Sequence, residues 1–376
     1  MPISLGNVKA AAGRVRYGAY HLLEHPVGGA DEMPVIIAQG DPTGPVFWIT
    51  AGIHGPEHAG IQVIHQLITR ELVKALHGTV IAIPALNPAG VRTNQRQAYY
   101  LDDDPNRQFP DGKPASEPDP EETPPSSLER AYARLFAEIK ASAGLMVDLH
   151  NYSINSVSFV FRDRVLYRND GKAEQNKQAR AQAVRFDARL SEMCAAYGHA
   201  VIGEMPVKKY IAARLHRSTT SAVVNLARIP ALTMELSTGQ TPDPAVVTAA
   251  ASGLRNIMRW AGMLPGEREP ITGIKVVDPG FPCRRHAAPR VTVPCVARHL
   301  CEAGTLIRKG QPLAEVRDIW GRPTGEKVLN SEFDGWVIGR HAGVVHYPGA
   351  ALYSLAIRDD IASVQPYPKD YWKAKK

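Results

Sequence analysis

Short apolar runs recur along the first two thirds of the chain, and each ends where a polar or charged residue breaks the pattern. The run VFWIT (46–50) leads into AGIHGPEHAG (51–60), TVIAIPAL (79–86) into Asn87-Pro88, GLMVDLHNY (144–152) into Asp148 and His150, and IPALTMELSTG (229–239) carries one charge, Glu235. Runs this short, rich in β-branched residues and bounded by Gly or Pro, predict buried strands near 35–38, 46–51, 79–86, 145–150, 156–162 and 231–236. Amphipathic stretches between them predict helices near 57–76, 126–141, 173–197, 219–228 and 242–263. Strand and helix in alternation predict an α/β sheet with helices on its faces. The Pro/Glu/Ser-rich stretch 111–127 reads as a surface loop, and Ser127 with Glu129-Arg130 as the helix start after it.

Beyond PGEREPITG, near residue 265, the pattern changes to short strands with regular glycines. EAGTLIRKGQPLAEVRD (302–318) and SEFDGWVIGRHAGVVHYPGAALYSLAI (331–357) predict a small β sandwich or barrel. The division expected is a catalytic α/β domain over 1–265 and a C-terminal β domain over 266–376. The aromatics of this tail, Trp320, Trp336, Tyr347 and Tyr353, read as core residues.

Composition narrows the function classes. The chain has 376 residues, 44% hydrophobic and 22% charged, an ordinary balance for a folded protein with a large core. Its net charge of +7 favours anionic small-molecule partners. The basic residues form no tight run or basic-aromatic stripe, so nucleic acid is not an expected partner. No run approaches 18 apolar residues and the first twenty residues hold no apolar core, so neither membrane nor secretion is expected, and the cytoplasm is. Four cysteines at irregular spacing do not make a disulfide framework. Three of them crowd with histidines in Cys283-x-x-His286 and Cys295-x-x-x-His299-x-Cys301. This spacing lacks the paired knuckles of a structural zinc ribbon, and small, reduced core thiols are the expectation.

The chemistry sits at the strand ends. His54 and Glu57 follow a strand and a glycine turn, and imidazole with carboxylate suits a borderline-soft dication. His150, at the end of another apolar strand, supplies a third ligand and leaves a position open for water, the arrangement of catalytic rather than structural zinc. His54-Gly55-Pro56-Glu57-His58 also matches H-x-x-E-H, which needs the motif inside a helix. Gly55 and Pro56 oppose that by about 1 and 3 kcal/mol. Pro56 fits the first helical position, with His58 turned elsewhere. The loop 85–110 adds Arg92, Arg96, Asn106 and Arg107, and Glu235 is a carboxylate inside an apolar strand, costly unless it is used.

Taken in order, His54-Gly55-Pro56-Glu57, Asn87-Pro88, Asp104-Pro105-Asn106-Arg107-Gln108-Phe109-Pro110, Asp148-Leu149-His150 and Glu235 resemble the succinylglutamate desuccinylase/aspartoacylase family of zinc carboxypeptidase-like hydrolases. The resemblance implies a carboxypeptidase-like mixed sheet with helices on both faces. It also implies one Zn²⁺ per chain on His54, Glu57 and His150, with Glu235 as general base. Asn106 and Arg107 would hold a substrate carboxylate. Arg92 or Arg96 would face the scissile carbonyl, with Arg96 preferred. Asp148 reads either as the partner of a ligand histidine or as a strand-end turn residue. The implied activity is hydrolysis of the amide of a small, anionic N-acyl amino acid. A metallocarboxypeptidase, or a binding module without catalysis, would use the same scaffold.

One departure bears on substrate. Family members that take an acidic acyl group carry an arginine shortly before the Glu-bearing strand, where this chain has Ala222-Val223-Val224-Asn225. A small neutral acyl group is then favoured, unless Arg214 or Arg217 substitutes from the preceding loop. The tail resembles the lipoyl- or biotinyl-carrier fold. The hairpin DIWGRPTGEK (318–327) holds Lys327 without the flanks of a carrier lysine, so a structural cap or a homo-oligomer surface is expected of it.

Overall fold

The computed structural model describes residues 3–113 and 124–372. Most of the stretch expected as a surface loop at 111–127 falls at 114–123, outside the described residues.

The four apolar runs become four adjacent strands, Ala231–Leu236, Leu145–Asn151, Asp41–Ala51 and His77–Ile83, all parallel. Both faces of these strands are covered, which is why they read as continuous apolar runs rather than alternating ones. Phe47, Trp48, Ile49, Val80, Ile81, Met146, Val147 and Leu232 are at most 1% exposed. Each large apolar side chain so buried contributes about 1.5–3 kcal/mol.

Around this parallel centre the sheet is mixed and reaches twelve strands. On one side Ala30–Gln39 and then Arg14–Glu24 join antiparallel. On the other, Phe159–Arg162 runs antiparallel to Ala231–Leu236, followed in parallel by Ala200–Gly203 and Cys283–Ala287. Tyr353–Arg358, Gly335–Arg340 and Leu306–Ile307 complete that edge. Register carries the functional information: Glu235 stands opposite His150, and Thr50 opposite Asp148.

The helices form where expected, with different ends. The stretch expected as one helix over 57–76 is two, Ala59–Leu67 and Arg70–Ala75, because Thr69 turns extended and caps the second through its hydroxyl. Ser126, not Ser127, caps Ser127–Ser142, in a reciprocal capping box with Glu129. Helix Pro244–Trp260 packs against both Ala59–Leu67 and Ala173–Tyr197.

The tail differs from a free-standing sandwich. Four of its strands extend the large sheet, and Pro323–Asn330, Pro312–Arg317, Cys295–His299 and Val345–His346 form a separate antiparallel sheet. Leu313, Val316, Leu329, Val337, Leu355 and Ile357 make the core between these layers. A second apolar cluster joins Phe159, Phe161 and Ile202 to Cys283, Trp336 and Ile338. Of the tail aromatics, Trp336 and Tyr353 are buried as expected. Trp320 and Tyr347 are each 76% exposed, because one sits on a hairpin tip and the other just past an edge strand. Lys327 lies within strand Pro323–Asn330, not at that tip. All four cysteines are buried and unpaired. No described helix is long and apolar enough to cross a membrane.

Candidate metal centre and catalytic pocket

The site grows from the carboxyl ends of the parallel strands, where open sheets of this kind place ligands. After Ala51 the chain reverses through Gly52, whose φ of +63° is a left-handed value that favours glycine. A Cβ on Gly55 would lie 2.0 Å from the carbonyl oxygen of Gly90 and 2.3 Å from that of Gln95. The turn carrying His54 is therefore seated directly on the backbone of the short helix Pro88–Thr93 and of the turn after it. The helix begins only at Ala59, with His58 at its N-cap. Pro56 thus lies in the turn rather than at the first helical position, and Gly55-Pro56 keep the motif out of the helix. His58 stays outside the centre, as expected of it.

Among the described residues, one group of histidine, cysteine and carboxylate side chains converges as metal ligands do: His54, Glu57 and His150, with ligand atoms within 4.8 Å of one another. Glu57 bridges the two rings. Its Oε1 is 2.8 Å from His54 Nδ1, its Oε2 is 2.8 Å from His150 Nδ1, and the Asn151 N–H donates to Oε2 at 3.1 Å. The opposite ring nitrogens are held as well. His54 Nε2 is 3.0 Å from Asp104 Oδ1, and His150 Nε2 is 3.0 Å from Asp148 Oδ2. Thr50 Oγ1 donates to Asp148 Oδ1 at 2.6 Å. Each ring thus meets a carboxylate at both nitrogens; with an ion on the Glu57 side, Asp104 and Asp148 would accept from Nε2–H, the arrangement in which an outer carboxylate fixes the tautomer of a metal-binding histidine. Asp148 is thus the histidine partner rather than a turn residue.

Burial opposes ionisation of Glu57, but His150 and His54 hold its carboxyl well below the usual range. Burial pushes Glu235 the other way, up to about 7, against the pull of His150. Two imidazoles and an ionised carboxylate, with a pocket on their open side, are a donor set that fits a zinc ion.

That pocket is a cavity of about 290 Å³. Of the loop residues, Arg96, Asn106 and Arg107 line it. Arg96 donates to Asp104 Oδ2 at 2.8 Å and lies 3.8 Å from Glu57. Arg107 is fixed by donation to the carbonyl oxygens of Asn106, at 2.7 Å, and Ala213, at 3.1 Å. Asn106 is more committed than its expected role implies. Its Oδ1 accepts from the Thr219 N–H at 2.9 Å and hydroxyl at 3.1 Å, and its amide nitrogen lies 3.5 Å from His150 Nε2. Arg92 is not brought to the pocket. Asp31, fully buried on strand Ala30–Gln39, accepts from it at 2.7 Å. Arg214 and Arg217 do not line the pocket either. Arg217 bonds the Phe109 carbonyl oxygen and Glu129, and Arg214 the Arg107 carbonyl oxygen, so both brace the loop.

Sequence reasoning missed the far wall, made by Tyr152, Asp163, Glu204 and Arg285. Arg285 comes from strand Cys283–Ala287 of the tail, pairs with Glu204 at 2.7 Å and stands over the Phe161 ring at 4.9 Å. Burial, reinforced by Glu204, pushes Asp163 up to about 7 while Tyr210 and Thr220 donate to it. Asp163 carried a signal, a carboxylate directly after an apolar strand. Arg285 sat inside a segment read only for its cysteines and histidines.

The comparisons with known proteins agree with this architecture. Residues 43–261, more than half of the chain, match the model of the succinylglutamate desuccinylase/aspartoacylase catalytic domain. A succinylglutamate desuccinylase of Yersinia pestis (strain Pestoides F) is 36% identical over 103 residues, 27% of this chain and 30% of that protein, so the match spans under a third of its length. The product-bound ectoine utilization protein EutE (DoeB) of Ruegeria pomeroyi has a TM-score of 0.67 at 19% identity, covering 91% of this chain and 95% of that one. A succinylglutamate desuccinylase/aspartoacylase of Rhodobacter sphaeroides also has a TM-score of 0.67, at 18% identity over 92% and 96% of the two chains. At such identity these structures speak for the shared fold. With its catalytic-domain match and its ordered motifs, the chain belongs to the succinylglutamate desuccinylase/aspartoacylase family.

Proposed function

We propose that the protein is a zinc-dependent hydrolase that cleaves the amide bond of a small N-acyl amino acid. One observation carries the reading: Glu235 stands in register beside His150, so a carboxylate that is not one of the three converging ligands faces the same pocket. His54, Glu57 and His150 would hold the ion, which when bound acidifies water and polarises the scissile carbonyl. Glu235 takes the proton of the attacking water at its carboxylate and returns it to the departing amine. Arg96 places its guanidinium where the carbonyl oxygen gains charge. Arg107 holds the α-carboxylate of the amino acid, with the Asn106 amide beside it. Asp148 and Asp104 orient the two imidazoles.

We take residues 1–265 as the catalytic unit and 266–376 as a lipoyl-like β cap that contributes Arg285 to the pocket, in a protein of the cytoplasm. A metal assay on the purified protein, followed by N-acetyl, N-formyl, N-succinyl and N-acyl-aspartate substrates beside a peptide panel, tests the reading. About one zinc per chain and turnover of N-acyl amino acids are expected. Turnover of peptides alone would make it a carboxypeptidase.

A further inference from the structure

A second cavity, of about 640 Å³, adjoins the catalytic pocket, and Tyr152 and Arg285 line both. Its volume is that of a small-molecule site. Its wall is cationic, with Lys209, Arg284, Arg285 and Arg290 against one carboxylate, Glu332. Arg285 has Glu204 for a partner at 2.7 Å, but the others are poorly neutralised. Arg284 Nε is buried with no hydrogen-bond partner among the described residues. Its nearest carboxylate oxygen, on Asp359, is 3.9 Å away, and Arg164 already holds Asp359 at 2.8 Å. Arg290 donates to the Gly349 carbonyl oxygen, and among the described residues no carboxylate lies within ion-pair distance of it or of the exposed Lys209. His286, on the same wall, responds to this field. Burial, then Arg284, Lys209 and Arg290, lower its pKa, and only Glu332 opposes them.

Like charges gathered in a concave wall are complementary to an anion, and this wall continues from the catalytic pocket. We propose that this cavity is an anion subsite, which receives a carboxylate at the far end of an elongated acyl chain threaded past Tyr152 and Arg285. The proposal rests on the amide-hydrolase reading. Because that reading gives the amino-acid carboxylate to Arg107, the second anion belongs to the acyl part. A chain must cross the shared wall to reach Lys209 and Arg284, so several methylenes separate the amide from the anion. Arg284 offers a planar donor pair and Lys209 a mobile point charge.

The test uses the full-length, zinc-loaded enzyme and two matched series of N-acyl amino acids, from succinyl to adipoyl, ending in a carboxylate or in a carboxamide. For the longest chains the carboxylate form should be favoured at least tenfold in kcat/KM, through KM. Lys209→Gln, an exposed replacement that leaves the fold alone, should bring that ratio toward one. An unchanged ratio, or no preference in the wild type, overturns the subsite. If no amide is hydrolysed, the functional reading fails and calorimetry with adipate decides the subsite separately. Binding weakened at least fivefold by Lys209→Gln and retained in Arg107→Ala places the anion here. Absent binding, or binding indifferent to Lys209, removes it.

Discussion

Glu57 and Glu235 carry the same carboxyl group in different surroundings, and the surroundings divide the work between them. Glu57 lies between two imidazoles and accepts a backbone N–H, which keeps it ionised, as the proposed ligand role requires. Glu235 stands on an apolar strand where burial pushes its carboxyl up, and it faces the pocket without being one of the three converging ligands. Glu235→Gln should therefore retain zinc while kcat falls roughly 10²–10⁴-fold, checked by metal content and initial rates. Metal lost with the carboxylate would make Glu235 a ligand instead. In the proposed reaction Arg107 would hold a charge present before and during the chemistry, so Arg107→Ala should chiefly raise KM. Converting the substrate's α-carboxylate to an amide should then slow the wild type strongly and the variant little. An equal loss in both enzymes excludes Arg107 as the anchor.

At the scale of elements, the centre depends on how tightly the turn 52–57 sits against helix Pro88–Thr93 and the turn that follows it. The Gly55 N–H donates to Gln95 O at 3.1 Å, and the two carbonyl oxygens that a Cβ would meet are backbone atoms that cannot rotate away. Gly55→Ala should cost about 1–3 kcal/mol by overpacking and weaken zinc binding through displacement of His54, read by thermal melting and by metal titration. A variant that melts and binds metal like the wild type would show that the turn has slack. Elements of this kind also mark what the chain discloses. His54, Glu57, His150 and Glu235 were legible because each stands on the end of an apolar parallel strand or in the turn just after one. Arg14–Glu24 was not, because it is a largely solvated edge strand whose apolar residues are interrupted by Arg16, Gly18 and His21, so that no long apolar run shows. Nor could the loop arginines be sorted from spacing. Arg92 leaves the pocket because Asp31, fully buried on a neighbouring strand, needs a cation. Arg285 reaches the pocket only through the pairing of strands more than eighty residues apart in sequence.

Over the whole molecule, buried histidines tie stability to pH. Burial pushes His199 down to about 4 from 6.5, so between these values the unfolded chain binds the extra proton and the folded chain does not. Its contribution is fully present above about 6.5 and is lost as pH falls toward 4. His199→Gln should flatten the dependence of the melting temperature on pH across that window, and an unaltered slope would show that the imidazole is protonated in the fold. The sheet itself ties the two parts of the chain together, since Ile202 pairs with Cys283 and Gly203 with Arg284. A fragment ending at residue 265 would leave strand Ala200–Gly203 with a row of unpaired N–H and C=O groups, beside Phe161 and Ile202 stripped of their cover. Such an edge templates further strands, so the fragment should form aggregates visible by light scattering where the intact chain does not. A monodisperse fragment would contradict this. The tail is in that sense a guard against self-association as much as a wall of the pocket.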